Sequence, residues 1–254
     1  MPMSETDVAM FANALVAARK PGAKPADVPK VLPASDAEAY RVQDVVIKAL
    51  GPASGWKVGA ANPTSEPNCA PVLAGGIMDA GSKPIIVPAK TGIEVEIAFR
   101  MAKAFASSKT APSAAEVMAG IGSAHVAMEL CVSRIVTGQQ SPGHCNLADN
   151  GMNLGFVLGP QVASWKAINM ASQVARAVVN GKTVVDTTGG HTQKDLGKLL
   201  VWLVGHVVTK RGGLAAGAVV ATGSWTGLHW TTVPAKVSGE FPGVGRMDVA
   251  LTMG

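Results

Sequence analysis

Gly92-Ile93-Glu94-Val95-Glu96-Ile97-Ala98-Phe99 alternates apolar residues with glutamate, and this period of two is that of a β-strand. Both carboxylates therefore project from one face, with Cα atoms roughly 6.6–6.8 Å apart. A second glutamate sits in an apolar run, Val126-Ala127-Met128-Glu129-Leu130-Cys131-Val132. Like charges on a half-buried face repel, and desolvation raises their cost. A hard divalent cation removes both penalties, because oxygen ligands suit Mg²⁺, Mn²⁺ or Ca²⁺. Glu94, Glu96 and Glu129 together thus read as a carboxylate metal site, and the chain as a metal-assisted enzyme. The same residues also admit blander readings: a solvated edge face for the pair, and a buried ion pair of Glu129 with Arg134 or Arg100. With only 17 acidic residues in 254 positions, three in apolar runs favour one joint explanation.

Working outward, the chain divides into two characters. Residues 1–54 read as a helical portion: Asp7 to Arg19 has apolar residues at helical spacing, and Ser35-Asp36-Ala37-Glu38 resembles an N-cap opening a helix toward Leu50. Residues 55–254 read as a β-rich catalytic domain of short runs punctuated by glycine and proline. These are Gly55–Gly59, Pro84–Val87, Ile93–Phe99, Val126–Ile135, Phe156–Leu158, Ala175–Val179 and Thr183–Val185. Asn180-Gly181 between two runs signals a hairpin. Ala114 to Ala119 suits a short helix. A late helix runs from about Thr192 or Lys194 to Thr209 and stops at Lys210-Arg211-Gly212-Gly213. A buried strand over Gly217–Thr222 and alternating runs at Val237–Phe241 and Met247–Leu251 follow. The fold class expected is α+β, rich in strands.

A hydrophobic fraction of 48% with 15% charged residues supports a sizeable core and excludes disorder. The net charge of +5 is scattered, without a basic stripe among aromatics, so nucleic-acid binding is not expected. A small anionic substrate suits this charge. Cys69, Cys131 and Cys145 form no CxxC pair, which points to a reducing, cytoplasmic setting. The start lacks the pattern of a signal peptide, and the longest apolar run, Leu199 to Val208, is too short to span a membrane.

Several segments, in order, resemble one family. Gly55-Trp56-Lys57-Val58-Gly59 is similar to its G-[YWR]-K-[VM]-G motif, and Glu94-Val95-Glu96-Ile97-Ala98 to its E-x-E-I-A element. Glu129 with Ser133-Arg134-Ile135, Ala148-Asp149-Asn150, and Gly213 through Thr222-Gly223-Ser224 match three further elements. The family is 2-keto-4-pentenoate hydratase together with 4-oxalocrotonate decarboxylase, within the fumarylacetoacetate hydrolase superfamily. The resemblance implies that superfamily's β-rich fold, a homo-oligomer, and Mg²⁺ (or Mn²⁺) held by Glu94, Glu96 and Glu129. It implies hydration of a 2-hydroxy-dienoate or its 2-oxo-enoate tautomer, as in the breakdown of aromatic compounds. Decarboxylation of a 2-oxo-enedioate is the alternative, and a non-catalytic small-molecule-binding member a third.

Within that resemblance Lys57 is the proton shuttle, kept near neutrality by apolar neighbours and a nearby metal. Asp79 corresponds to an acidic residue that orients Lys57 or water. Thr222, Gly223 and Ser224 supply donors to a substrate carboxylate. Arg134 suits a structural ion pair. With no histidine before position 125, the His–Glu water activation of the C–C hydrolases is disfavoured. The chain departs from the family at Ala60-Ala61-Asn62, Gly190-His191-Thr192-Gln193 and Val233-Pro234-Ala235-Lys236, all of which bear on substrate identity.

Overall fold

The computed structural model describes residues 2–81 and 83–254, which include every site residue named above. Two helices open the chain, α1 (Glu5–Ala17) and α2 (Asp36–Leu50). The first is closed by a reciprocal cap in which Ser4 and Asp7 each accept from the other's backbone N–H. Ser35 caps the second, as its sequence indicates, and Gly51 ends it at φ 104°.

The strands follow in chain order: β1 (Gly55–Gly59), β2 (Asn68–Val72), β3 (Ile77–Asp79), β4 (Ile85–Val87) and the long β5 (Lys90–Met101). Next come β6 (Phe105–Ala106), α3 (Ala114–Ala119), β7 (Ile121–Cys131), α4 (Cys145–Ala148) and β8 (Asn153–Gln161). The remainder is β9 (Val174–Val179), β10 (Lys182–Thr188), α5 (Leu196–Lys210), β11 (Gly213–Leu214), β12 (Val219–Ala221), β13 (His229–Thr232), β14 (Ala235–Phe241) and β15 (Gly245–Met253). The Asn180-Gly181 hairpin forms between β9 and β10, with both residues at positive φ.

Eight strands build a curled sheet in the order β2-β1-β12-β5-β7-β8-β3, with β13 added to β5. A five-stranded sheet, β10-β9-β14-β15-β4, packs against one face of it. There Ile93, Val95, Ile97 and Phe99 of β5 join Val126, Met128 and Leu130 of β7, Val237 and Phe241 of β14, and the apolar face of α5. Each fully buried aliphatic contributes about 1.5–3 kcal/mol before entropic costs. Gly239 lets β14 approach closely, since a Cβ there would lie 3.1 Å from Val95.

The other face of β5 turns into the curl. Its apolar lining is mostly small or short: Val72, Ala98, Ala127, Val219 and Ala221, with Phe156 and Leu158. This is the face that carries Glu94, Glu96 and Glu129, and the alanines leave room for them. The helical portion forms a further cluster of Val8, Phe11, Leu15, Val42 and Val46, which is completed by Ile135, Cys145 and Ala148 from much later in the chain.

Candidate metal centre and active site

Register puts the carboxylates together. Glu94 on β5 is paired directly with Glu129 on β7, and Glu96 lies two residues further along the same face of β5. Glu96 and Glu129 are 1% and 0% exposed, a degree of burial that ionised carboxylates reach only when paired or coordinated. Burial, and then the charge of Glu129, raises the pKa of Glu94, and the same causes together with Glu94 raise Glu96 well above the carboxylate range. The solvated edge face considered for the Glu94–Glu96 pair is thus excluded, since β5 lies between β12 and β7 and Glu96 is buried.

Lys57 reaches into this cluster. It alternates on β1 with Trp56 and Val58, which point into the main core, and pairs in register with Ala70 and Ala221. Its Nζ donates to Glu129 Oε1 at 2.6 Å and to the Gly151 carbonyl at 3.2 Å. Burial pushes the amine toward neutrality, but Glu129, Cys131, Glu94 and Glu96 outweigh it and the net shift is upward. With only the chain's own groups around it, Lys57 therefore holds its proton. The ion pair of Glu129 is with Lys57, not with Arg134 or Arg100. Arg134 instead binds Asp149 through both its backbone N–H, at 2.7 Å, and its guanidinium. Arg100 donates to the Gly217 carbonyl.

One atom is conspicuous. Glu129 Oε1 accepts from Lys57 and from Asn153 Nδ2 at 2.9 Å, while Oε2 is fully buried without any hydrogen-bond partner. An unpaired buried carboxylate oxygen is costly, and a cation is the partner that satisfies it. One oxygen each of Glu94 and Glu129 and the Sγ of Cys131 lie within 4.8 Å of one another, close enough to share an ion. Glu96 is outside that tight group, because its Oε2 accepts from Gly223 N–H at 3.0 Å. Burial and the carboxylates push the Cys131 thiol well up, so it stays protonated and donates to Glu94 Oε2 at 3.6 Å. Hard carboxylate oxygens thus dominate the donor set, and that set fits a divalent cation.

A cavity of about 340 Å³ opens onto the cluster, lined by Lys57, Asn68, Glu94, Glu96, Gly223 and Ser224 among others. Of the three residues expected to bind substrate, Gly223 and Ser224 line it. Gly223 needs its φ of 101° to aim its N–H at Glu96, and Ser224 Oγ is buried within reach of the Glu94 carboxylate. Thr222 does not line it; its hydroxyl donates to the Ile97 carbonyl at 3.0 Å and helps hold β12 on β5. Asp79 is likewise not a partner of Lys57, whose Nζ is held by Glu129 and the Gly151 carbonyl. It is exposed on the three-residue β3, which pairs with β8, and does not line the cavity. The residues that sequence reading missed are Asn68, Cys131, Asn153 and the Gly151 carbonyl. Asn68 lies on β2, a strand the sequence pattern does not show; the others depend on register and a turn.

That turn has an unusual backbone. Asn150, Gly151 and Met152 have φ of 53°, 60° and 61°, a run of left-handed residues that costs non-glycine positions energy. Asp149 anchors it, fully buried between Arg19 and Arg134.

Residues 60–249 match the fumarylacetoacetate (FAA) hydrolase C-terminal family, and the chain belongs to that family. A search of curated proteins gives no significant match. Among solved structures, 4-oxalocrotonate decarboxylase from Pseudomonas putida G7, complexed with magnesium and adipate, superposes with a TM-score of 0.77 at 18% identity, over 98% of each chain. The same protein complexed with calcium and acetate gives 0.75 at 17% identity, again over 98% of each. The 2-hydroxyhepta-2,4-diene-1,7-dioate isomerase from Mycobacterium marinum gives 0.56 at 19% identity, over 79% of this chain and 75% of that one. At these identities the likeness establishes the fold. No helix among the described residues is long and apolar enough to cross a membrane.

Proposed function

We propose that the chain is a metal-dependent lyase that hydrates a 2-hydroxy-dienoate through its 2-oxo-enoate tautomer. The observation that carries this is the unpartnered Oε2 of the buried Glu129, whose Oε1 holds Lys57 and which pairs with Glu94, both of them on the wall of a substrate-sized cavity. Mg²⁺ or Mn²⁺ held by Glu94, Glu96 and Glu129 would supply Lewis-acid stabilisation of an enolate oxygen.

The chain's own groups supply the proton transfers. Lys57 Nζ, kept charged by Glu129, donates its proton to the terminal carbon of the dienol while the 2-hydroxyl proton leaves to solvent, which gives the 2-oxo-enoate. The neutral amine then takes a proton from the water that adds to the alkene, which restores the ammonium, and the enolate so formed takes a proton from solvent at C3. Ser224 Oγ, buried beside Glu94, donates to the substrate carboxylate. The Asn68 amide, on the cavity wall, orients the water. The Gly151 carbonyl and Glu129 hold Lys57 Nζ in place between the two transfers. The active form is proposed to be a cytoplasmic homo-oligomer acting on a small anionic 2-oxo acid.

Decarboxylation of a 2-oxo-enedioate is the second reading, supported by the end-to-end superposition on a decarboxylase. Against it, Lys57 is the one basic side chain among the described residues that line the cavity, so a second substrate carboxylate finds no free cation there. The test follows absorbance of 2-hydroxypenta-2,4-dienoate and, separately, 2-oxohex-3-enedioate, with Mg²⁺ and with EDTA. Mg²⁺-dependent formation of 4-hydroxy-2-oxopentanoate, lost in Lys57→Ala, supports hydration. Turnover of the enedioate alone, with release of CO₂, replaces it by decarboxylation.

A further inference from the structure

The glutamate face carries one more donor than the proposed lyase uses. Glu129 and Cys131 are two residues apart on β7 and share its inner face, while Glu94 lies opposite Glu129 and Gly92 opposite Cys131. A Cβ at Gly92 would stand 2.5 Å from Leu228 Cδ1 and 3.0 Å from the Cβ of Cys131, so only glycine fits opposite Cys131. The face therefore presents Glu94 and Glu129 as a shared pair, flanked by Glu96 on one side and Cys131 on the other. In the structure the Glu96 side is drawn to Gly223 N–H, and the compact group is Glu94, Glu129 and Cys131. The unpartnered Glu129 Oε2, in a residue 0% exposed, points independently to a cation at this pair.

We propose that Glu94, Glu129 and Cys131 form a second, overlapping metal set that takes a thiophilic divalent cation, Zn²⁺ or Cd²⁺, in competition with the hard cation of the all-oxygen set. Carboxylate oxygens alone select hard ions, whereas a thiolate adds affinity for softer ones. On binding, Cys131 forms a metal–sulfur bond and its S–H proton passes to solvent; no electron changes hands. The two cations exclude one another because both need Glu94 and Glu129. This inference rests on the reading of the cluster as a metal site and not on the lyase chemistry.

Cd²⁺ titration of the purified chain tests it, followed by thiolate-to-metal charge-transfer absorption in the ultraviolet and by calorimetry. The Cys69→Ser/Cys145→Ser variant leaves Cys131 the sole thiol. The expected result is a band saturating at one equivalent in that variant, abolished by further Cys131→Ser and by Glu129→Gln, and suppressed by excess Mg²⁺. Glu96→Gln should keep the band while weakening Mg²⁺ binding at least tenfold. Cd²⁺ bound at one equivalent without a band, a band that survives Cys131→Ser, or no Cd²⁺ binding at all would each overturn the proposal. Since the spectrum reads coordination and not turnover, a chain inactive on every enoate leaves this outcome unaffected.

Discussion

At Glu96 the effect of removing a charge depends on what else the pocket holds. Glu94 and Glu129 both destabilise its ionised form, as does burial. In EDTA, Glu96→Gln relieves this repulsion and should raise stability by about 1 kcal/mol, or roughly 2–4 °C in Tm. Mg²⁺ at about 100 times its Kd should stabilise the wild type by about 2.7 kcal/mol, and the variant should lose most of that gain. Differential scanning calorimetry with and without Mg²⁺ reads both; a variant less stable than wild type in EDTA would remove the repulsion argument. Gly151 is a second sensitive residue. A Cβ there would lie 3.3 Å from Lys57 Nζ, on a backbone at φ 60°. Gly151→Ala should cost about 1–2 kcal/mol in stability through backbone strain. Because it disturbs the shuttle, it should also lower kcat for the accepted enoate far more than it changes KM.

His191 offers a pH test at the same scale. Its Nε2 lies 2.8 Å from the Thr222 carbonyl and its Nδ1 2.9 Å from the Gln193 N–H, which fits one neutral tautomer. Burial lowers its pKa from 6.5. Above pH 6.5 both folded and unfolded chains carry it neutral, so it costs nothing. As pH falls through 6.5 the unfolded chain takes the proton first, and stability is lost until the folded pKa is reached. Urea midpoints between pH 7.5 and 5.5 should therefore fall more steeply for the wild type than for His191→Gln. Parallel pH profiles would show that His191 is not the titrating group.

At the scale of elements, the turn that presents the Gly151 carbonyl depends on one buried carboxylate held by two arginines from different places. Arg19 follows α1, and Arg134 follows β7. Asp149→Ala would leave two largely buried guanidinium groups unpaired, at a cost of about 3–5 kcal/mol, measurable by urea unfolding at pH 7.5. A loss below 1 kcal/mol would mean that water replaces Asp149 and that the turn holds itself. This network was only half legible in the sequence. Ala148-Asp149-Asn150 could be marked as a turn beside the site, but its partner Arg19 is 130 residues away. Strands with strong alternation, such as β5 and β9, and the Asn180-Gly181 hairpin could be read directly. β2 contains Pro71, and β3 and β13 are only 3 and 4 residues long, so pattern alone did not reveal them. The glutamates were legible because charge in an apolar run is rare. The approach of Cys131 and the turning of Glu96 toward Gly223 were not, since both follow from cross-strand register. Asp79, assigned by its order along the chain, is exposed and is not among the residues lining the cavity.

For the whole molecule, the boundary drawn near residue 54 marks a change in secondary structure more than a seam in packing. The helices bury Val8, Phe11, Leu15, Val42 and Val46 against Ile135, Cys145 and Ala148, which belong to the segment between β7 and β8. The guanidinium of Arg211, just past α5, stacks 4.9 Å from the rings of both Tyr40 on α2 and Trp56 on β1, and pairs with Asp44. Gln43 on α2 donates to the carbonyls of Cys69 and Leu147, two residues on the wall of the cavity. A chain lacking residues 1–50 would thus lose its α1–α2 cluster, bare three apolar residues and free Arg19's partner beside the strained turn. The expectation is that it fails to unfold cooperatively and binds a hydrophobic dye such as ANS, while an equimolar peptide spanning 2–50 restores solubility in part. A truncated chain with a sharp, wild-type-like transition and intact Mg²⁺ binding would instead make the helices an accessory layer. The dense cross-links through Arg211, Gln43 and Asp149 argue that they brace the β2 side of the cavity and, through the turn at Gly151, the position of Lys57 itself.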